Sequence, residues 1–268
     1  MNFKQHIKLA LVEDQYQKDI TTKLIKPKIK CTAIVKAKES FHIYGLKWFK
    51  EVFKTVDKNT NVKFMIKDGD MIKKGKVIAE IKGINHSLLK AERVALNYLQ
   101  TMSGTYDLCI KYKNKLKNKK IKLLHTRKTI PLFRLPLSES CSAAGCLPHR
   151  NDLSSSVLFK ENHLKFLPDP IVIIKKAIKM HKTVVVEAKT LKFAKSLVDL
   201  KIDRILLDNF TPTMLKNFLK FSSKMKIEIS GSINLNNIHN FSQKGVNFIS
   251  IGALTKNIYS KDISMIIV

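Results

Sequence analysis

From residue 120 onward the chain alternates short apolar runs with amphipathic stretches at about 20-residue spacing, and this alternation restricts the fold more than any other feature. The strand-like runs are Ile121–His125, Val157–Lys160, Val184–Glu187, Ile205–Asp208, Ile227–Ser230 and Phe248–Gly252. Helical periodicity fills most of the gaps, over Ile171–Met180, Leu191–Leu200, Met214–Phe221 and Leu235–Gln243. Alternating β and α units require a parallel sheet, either doubly wound or curled into a barrel. Each strand ends in, or runs straight into, a polar, charged or glycine residue: Arg127-Lys128, Lys160, Glu187, Asp208, Ser230-Gly231 and Gly252. A doubly wound sheet gathers its chemistry at one switch point, whereas a barrel uses the C-terminal ends of many strands. Six contributing strands favour the barrel.

The first 110 residues follow a different pattern, that of an α+β unit. Asn2–Val12 has helical period and Cys31–Lys38 alternates like a strand. Gly45–Phe53 is a short amphipathic helix carrying the only tryptophan, Trp48. Val62–Gly83 reads as two short strands around Asp68-Gly69-Asp70 and Gly75, similar to the half-repeat of a lipoyl or biotinyl carrier. It has no counterpart of that carrier's modified lysine, so the segment reads as scaffold. Leu88–Lys113 is a long helix with Val94, Leu99, Met102 and Tyr106 near one face. The expected division is a first domain over 1–112 and a second over 113–268.

Charge separates the function classes. The chain carries a formal charge of +29, yet only five of its 50 basic residues are arginine: Arg93, Arg127, Arg134, Arg150 and Arg204. The lysines are spread along the chain, and their densest run, Lys111–Lys122, lacks the interleaved aromatics and glycines of a single-strand binder. No nucleic-acid partner is expected from this distribution. No apolar run reaches the roughly 18 residues of a membrane span, so no membrane partner is expected either. Four cysteines without a C-x-x-C pair suit reduced thiols and a cytoplasmic protein. Where lysine is this abundant, a surviving arginine marks a site that needs a planar fork for a carboxylate or phosphate.

Placed on one rim, the strand-end residues fall into three groups. Arg127, Lys128, Arg150 and Lys160, with His149 and His163 beside them, form a cationic pocket suited to a small polyanion. Glu187 and Asp208 could hold Mg²⁺ through one or two carboxylates plus phosphate oxygens. Ser230-Gly231-Ser232 and Gly252-Ala253 lie between a strand and a helix start, where bare N–H groups cradle phosphate. Together they describe an anionic substrate, a metal-bound phosphoryl group and a second phosphate, a set suited to phosphoribosyl transfer.

Seven segments carry a family resemblance: EDQYQKDIT (Glu13–Thr21), ERVALNYLQTMSG (Glu92–Gly104), HTRKTIPLFRL (His125–Leu135), HRNDLSSSVLFKENH (His149–His163), LLDNF (Leu206–Phe210), EISGSI (Glu228–Ile233) and FISIGALTKN (Phe248–Asn257). In their order and spacing the chain resembles the quinolinate phosphoribosyltransferases over nearly its full length. The resemblance implies an N-terminal α/β sandwich followed by an open α/β barrel, assembled as a homodimer. It implies conversion of quinolinate and 5-phosphoribosyl-1-pyrophosphate to nicotinate mononucleotide, CO₂ and pyrophosphate in de novo NAD biosynthesis, with Mg²⁺ as cofactor. Carried over by position, Arg127, His149, Arg150 and Lys160 would line the quinolinate site, and Arg93 would reach it from the partner subunit. Lys128 would lie between the quinolinate carboxylate and the phosphoribosyl donor. Glu187 and Asp208 would hold Mg²⁺ and the ribose, and Ser230, Gly231 and Gly252 would bind the 5-phosphate.

The chain departs from the family pattern at four places. Ala143–Pro148 replaces a glycine-rich run, Ile130-Pro131-Leu132 stands where Thr-Pro-Gly is usual, Ser155 stands where Asp is common, and Val185 replaces the first of two strand glutamates. These changes bear on loop geometry and rate. Two alternatives stay open on sequence alone: a catalytically decayed dimeric relative, and transfer to a different pyridine or ring carboxylate. Retention of both Arg150 and Lys160 favours a dicarboxylate.

Overall fold

A computed structural model describes residues 2–181, 183–221 and 225–268. The chain divides into two compact units: Met1–Leu108 with Leu132–Ala144 and Ile258–Val268, and Cys109–Pro131 with Gly145–Asn257. The main boundary lies four residues before the expected cut after 112, and two later segments rejoin the first unit. Among the described residues, no helix is long and apolar enough to cross a membrane.

The first unit is built on a four-stranded antiparallel sheet in the order Ile263–Ile267, Lys30–Ala37, Val77–Ile84, Asn61–Phe64. Helix Phe3–Glu13 starts at a capping box in which Asn2 and Gln5 satisfy each other's backbone N–H groups. Helix Leu46–Val56 buries Leu46, Trp48, Phe49, Val52 and Phe53. These side chains join Ile7, Leu11, Phe41 and Ile81 in one apolar core. The Asp68-Gly69-Asp70 turn is scaffold, as its sequence suggests: Asp68 Oδ1 accepts from the N–H groups of Gly45 and Leu46 at the start of that helix. The region holds three short strands rather than two, Asn61–Phe64, Met71–Ile72 and Val77–Ile84.

Two elements of this unit have no clear signature in the sequence. Helix Arg134–Ala143 contains Pro136, which reads as a breaker. The proline falls in the first turn, where its missing N–H would have had no partner in the helix anyway. Strand Ile263–Ile267 reads locally as one more apolar run, but it pairs with Ala33–Ala37 near the opposite end of the sequence. Leu132 adopts φ +61 where the family pattern has glycine, and its carbonyl lies 2.9 Å from His6 Nε2.

The second unit is a parallel seven-stranded sheet in the order Leu147–Pro148, Lys122–His125, Phe248–Ile251, Ile227–Ser230, Arg204–Asp208, Val184–Ala188, Val157–Phe159. The sheet curls but does not close: among the described residues its two edge strands do not pair. The open α/β barrel is therefore the observed architecture. Its helices begin at side-chain caps that the sequence supplies: Asp169 before Pro170–Met180, Thr190 before Leu191–Ser196 and Thr211 before Pro212–Leu219. Period-two alternation sends Ile205, Leu207, Ile227 and Ile229 to one buried face. The registers put Glu187, Leu206, Glu228 and Phe248 side by side on the other. That inner face begins as an apolar patch of Leu158, Val185 and Leu206 and becomes polar toward the strand ends.

Candidate active site

A cavity of about 560 Å³ opens at the C-terminal ends of the second unit's strands. Thr126, Arg127 and Lys128 line it from the segment after Lys122–His125, and His149 and Arg150 from the end of the adjacent edge strand. Lys160, Glu161 and Asn162 follow the opposite edge strand. Between these two walls lie Glu187, Lys189, Leu206, Asp208, Ser230 and Ser250. Of the residues singled out from sequence, Arg127, Lys128, His149, Arg150, Lys160, Glu187, Asp208 and Ser230 meet at this one cavity.

Gly231 and Gly252 are not in the lining, but both shape the wall. At Gly231 φ is +96, and a Cβ there would meet Asn209 Oδ1 at 2.2 Å and the Asn209 nitrogen at 2.7 Å. A Cβ on Gly252 would lie 3.2 Å from Lys128 Cδ, so this glycine leaves room for the lysine stem. Asn209 and Ser232 also take left-handed backbone, φ +56 and +52. Asn209 N donates to the Ser230 carbonyl at 2.8 Å, and its Nδ2 donates to Asp208 Oδ2 at 3.1 Å. These bonds tie the two strand ends together beside the carboxylate. Arg93 belongs to the first unit, where it is exposed on helix Asn85–Lys115.

Charge in the cavity is divided. Burial, then the neighbouring Arg127 guanidinium, pulls the Arg150 pKa down, while Arg150 Nη1 donates to the Ser156 carbonyl at 3.3 Å. Among the described residues Arg127 Nε is buried without a partner, an unspent donor on the cationic side of the cavity. Between the walls, burial and the Asp208 carboxylate push Glu187 upward, against the pull of Lys160. A carboxylate raised by a neighbouring carboxylate marks a pair that accepts a divalent cation readily. Among the described residues no three His, Cys, Asp or Glu side chains enclose a metal site by themselves. A pair of carboxylates is nevertheless the protein's usual share when phosphate oxygens and water complete a magnesium shell. At the rim, Glu161 pairs with Lys189 and, at 3.2 Å, with Lys165.

Beneath the cavity, Glu228 is completely buried and takes Arg204 Nε at 2.5 Å and Ser250 Oγ at 2.5 Å. Burial alone would raise its pKa, but His149, Arg204 and Ser250 outweigh that effect and hold it below the ordinary carboxylate range. Sequence alone assigns neither Glu228 nor Arg204 a place in the site. A signal was available: Arg204 is one of only five arginines, and Glu228 stands two residues before Ser230 on the same strand face. Thr126, Asn162, Lys189 and Ser250 are further lining residues without a sequence assignment.

Comparison with known proteins gives the same answer over both units. The quinolinate phosphoribosyl transferase N-terminal domain matches residues 19–103, and the C-terminal domain of that family matches residues 107–266. A probable nicotinate-nucleotide pyrophosphorylase (carboxylating) of Bacillus subtilis is 33% identical over 99% of this chain and 93% of its own length. The chloroplastic nicotinate-nucleotide pyrophosphorylase (carboxylating) of Arabidopsis thaliana is 32% identical over 98% of this chain and 82% of that protein. Among solved structures, the nicotinate-nucleotide pyrophosphorylase of Francisella tularensis superposes with TM-score 0.91 at 32% identity, covering 99% of this chain and 97% of that one. The Ehrlichia chaffeensis protein described by the same name gives TM-score 0.94 at 29% identity, covering 100% and 99%.

Proposed function

The chain belongs to the quinolinate phosphoribosyltransferase family, and on that premise we propose that the strand-end cavity is where it joins quinolinate to 5-phosphoribosyl-1-pyrophosphate. The products are nicotinate mononucleotide, CO₂ and pyrophosphate, and the reaction belongs to de novo NAD biosynthesis. The observation that carries this reading is one cavity that gathers both the cations Arg127, Lys128, Arg150 and Lys160 and the carboxylates Glu187 and Asp208.

In this reading Arg127, Arg150, Lys160 and His149 hold the two carboxylates of quinolinate, and the forked arginines fix the ring in orientation. Lys128 lies between the quinolinate and the phosphoribosyl donor. Glu187 and Asp208 face the ribose and would hold Mg²⁺ together with donor phosphate oxygens; when bound, the ion neutralises the leaving pyrophosphate. Ser230, with the backbone at Gly231 and Gly252, takes the 5-phosphate.

The pyridine nitrogen attacks the anomeric carbon as the bond from that carbon to pyrophosphate breaks, and the bonding pair leaves with the phosphate oxygen. Positive charge develops on the ribosyl carbon, where the Glu187 and Asp208 carboxylates stabilise it. The resulting pyridinium then withdraws electrons from the bond to the 2-carboxylate. CO₂ departs, the electron pair stays on the ring carbon, and a proton from water replaces it. Fixed charges suffice, and no covalent enzyme intermediate is needed.

Arg93 is exposed on the first unit and does not line the cavity, and we assign it to the quinolinate site of a partner subunit in a homodimer. The four cysteines form no disulfide, which accords with a reducing, cytoplasmic setting. The test is product formation from purified chain, phosphoribosyl pyrophosphate and Mg²⁺ with either quinolinate or nicotinate. Nicotinate mononucleotide from quinolinate alone is expected. Product from nicotinate would move the assignment to another ring acid, and quinolinate binding without turnover would indicate a decayed enzyme.

A further inference from the structure

The Arg204–Glu228 pair beneath the cavity is expensive to maintain. Burying a carboxylate and a guanidinium together seldom stabilises a protein more than apolar residues of similar volume would. Glu228 has no solvent exposure, and Arg204 is 8% exposed. What the pair does hold is His149. Glu228 Oε1 lies 3.2 Å from His149 Nε2, a buried ion-pair contact outside hydrogen-bond geometry. Arg204 Nη2 donates to the His149 carbonyl at 3.3 Å, and the His149 N–H donates to the His125 carbonyl at 3.0 Å. The His149 backbone is therefore fixed from two sides, and its ring faces the buried carboxylate. Arg204 is in turn held by Asp203 at 3.3 Å and lies over the Phe248 ring.

We propose that Glu228 is a positioning residue for the dicarboxylate substrate: its buried carboxylate, held by Arg204 and Ser250, faces His149 Nε2, favours the tautomer with the proton on that nitrogen and so leaves Nδ1 for the substrate. The hydrogen bond at one imidazole nitrogen sets what the other nitrogen presents. With the ligand seated, the ring stands between the Glu228 carboxylate and one of the ligand's own. The inference rests on the reading of the cavity as a quinolinate site.

The test is a double-mutant cycle on quinolinate affinity, measured by calorimetry with wild type, H149Q, E228Q and the double variant. Each single change is expected to weaken quinolinate about tenfold, the scale of one charge-assisted hydrogen bond. Phosphoribosyl pyrophosphate affinity should stay within twofold. Because Glu228 acts through His149, the double variant should bind no more weakly than H149Q. Additive losses, or unchanged affinity in E228Q, would overturn the proposal. If E228Q fails to fold, S250A enters the same cycle: a loss of a few-fold in the wild-type background and none beside H149Q is expected, and equal losses would refute it. The ¹⁵N resonances of His149, identified by their disappearance in H149Q, report on the ring without any ligand. A proton fixed on Nε2 in wild type and mixed tautomers in E228Q are expected, and identical spectra would contradict the positioning role. Failure of the wild type to bind quinolinate would instead overturn the reading of the cavity, leaving the resonances to decide whether Glu228 holds the ring.

Discussion

Replacing Leu132 by glycine should stabilise the first unit, and the comparison with alanine isolates the cause. Leu132 is 81% exposed, so truncating its side chain forfeits only about 0.4 kcal/mol of a buried leucine's ~2 kcal/mol. Its φ of +61 costs an L-residue about 1–2 kcal/mol, a strain that alanine keeps and glycine removes. Glycine gives back about 0.5–1 kcal/mol through the freer unfolded chain. Leu132→Gly should therefore exceed Leu132→Ala by about 1 kcal/mol and wild type by about half that. For a chain of this length the Gly–Ala difference corresponds to about 2–4 °C in melting temperature. The bond between His6 Nε2 and the Leu132 carbonyl uses backbone and is common to all three proteins. Trp48, the only tryptophan, lies in the core of the same unit, so its fluorescence during thermal or urea unfolding reports the relevant transition. Glycine no more stable than alanine would refute the strain argument.

Arg127→Lys keeps the charge and loses the fork; quinolinate affinity measured by calorimetry should fall at least tenfold, whereas a change within twofold would show that charge alone suffices. Arg93→Ala should be inactive alone and regain activity when mixed and reassembled with Lys160→Ala, since one site of the mixed dimer then carries neither lesion; no recovery would contradict a shared site. His125 is 4% exposed and burial lowers its pKa from 6.5 to about 4, so the folded state binds the proton less well than the unfolded chain does. Stability is then complete above pH 6.5 and declines as pH falls toward 4, by up to about 3 kcal/mol. His125→Gln should flatten that part of the stability–pH curve, and an unchanged slope would place the titration elsewhere.

The barrel was legible because its signals are local. Period-two strands, capped helices and polar strand ends each occupy a few consecutive residues, and parallel strands bring their C-terminal ends to one rim automatically. That is why Arg127, Lys160, Glu187 and Asp208, far apart in sequence, could be grouped before their positions were known. What escaped depends on distant partners. The Ile263–Ile267 strand is defined by pairing with Ala33–Ala37, and helix Arg134–Ala143 by a proline placed where it does no harm. Glu228 reads as another strand carboxylate until Arg204, His149 and Ser250 close around it from three other segments. Lys189 is one lysine among many until its place at the cavity rim is seen. Gly231 and Gly252 were legible as glycines, but their part in shaping the wall required Asn209 and Lys128 to be located.

The central claim is that one cavity both forms the bond to ribose and releases the 2-carboxylate. Quinolinate carrying ¹³C in that carboxylate tests it in a single turnover with phosphoribosyl pyrophosphate and Mg²⁺. The account predicts labelled CO₂ and unlabelled nicotinate mononucleotide in equal amounts, with no CO₂ when the phosphoribosyl donor is withheld. Label retained in the nucleotide, or CO₂ released without the donor, would contradict it.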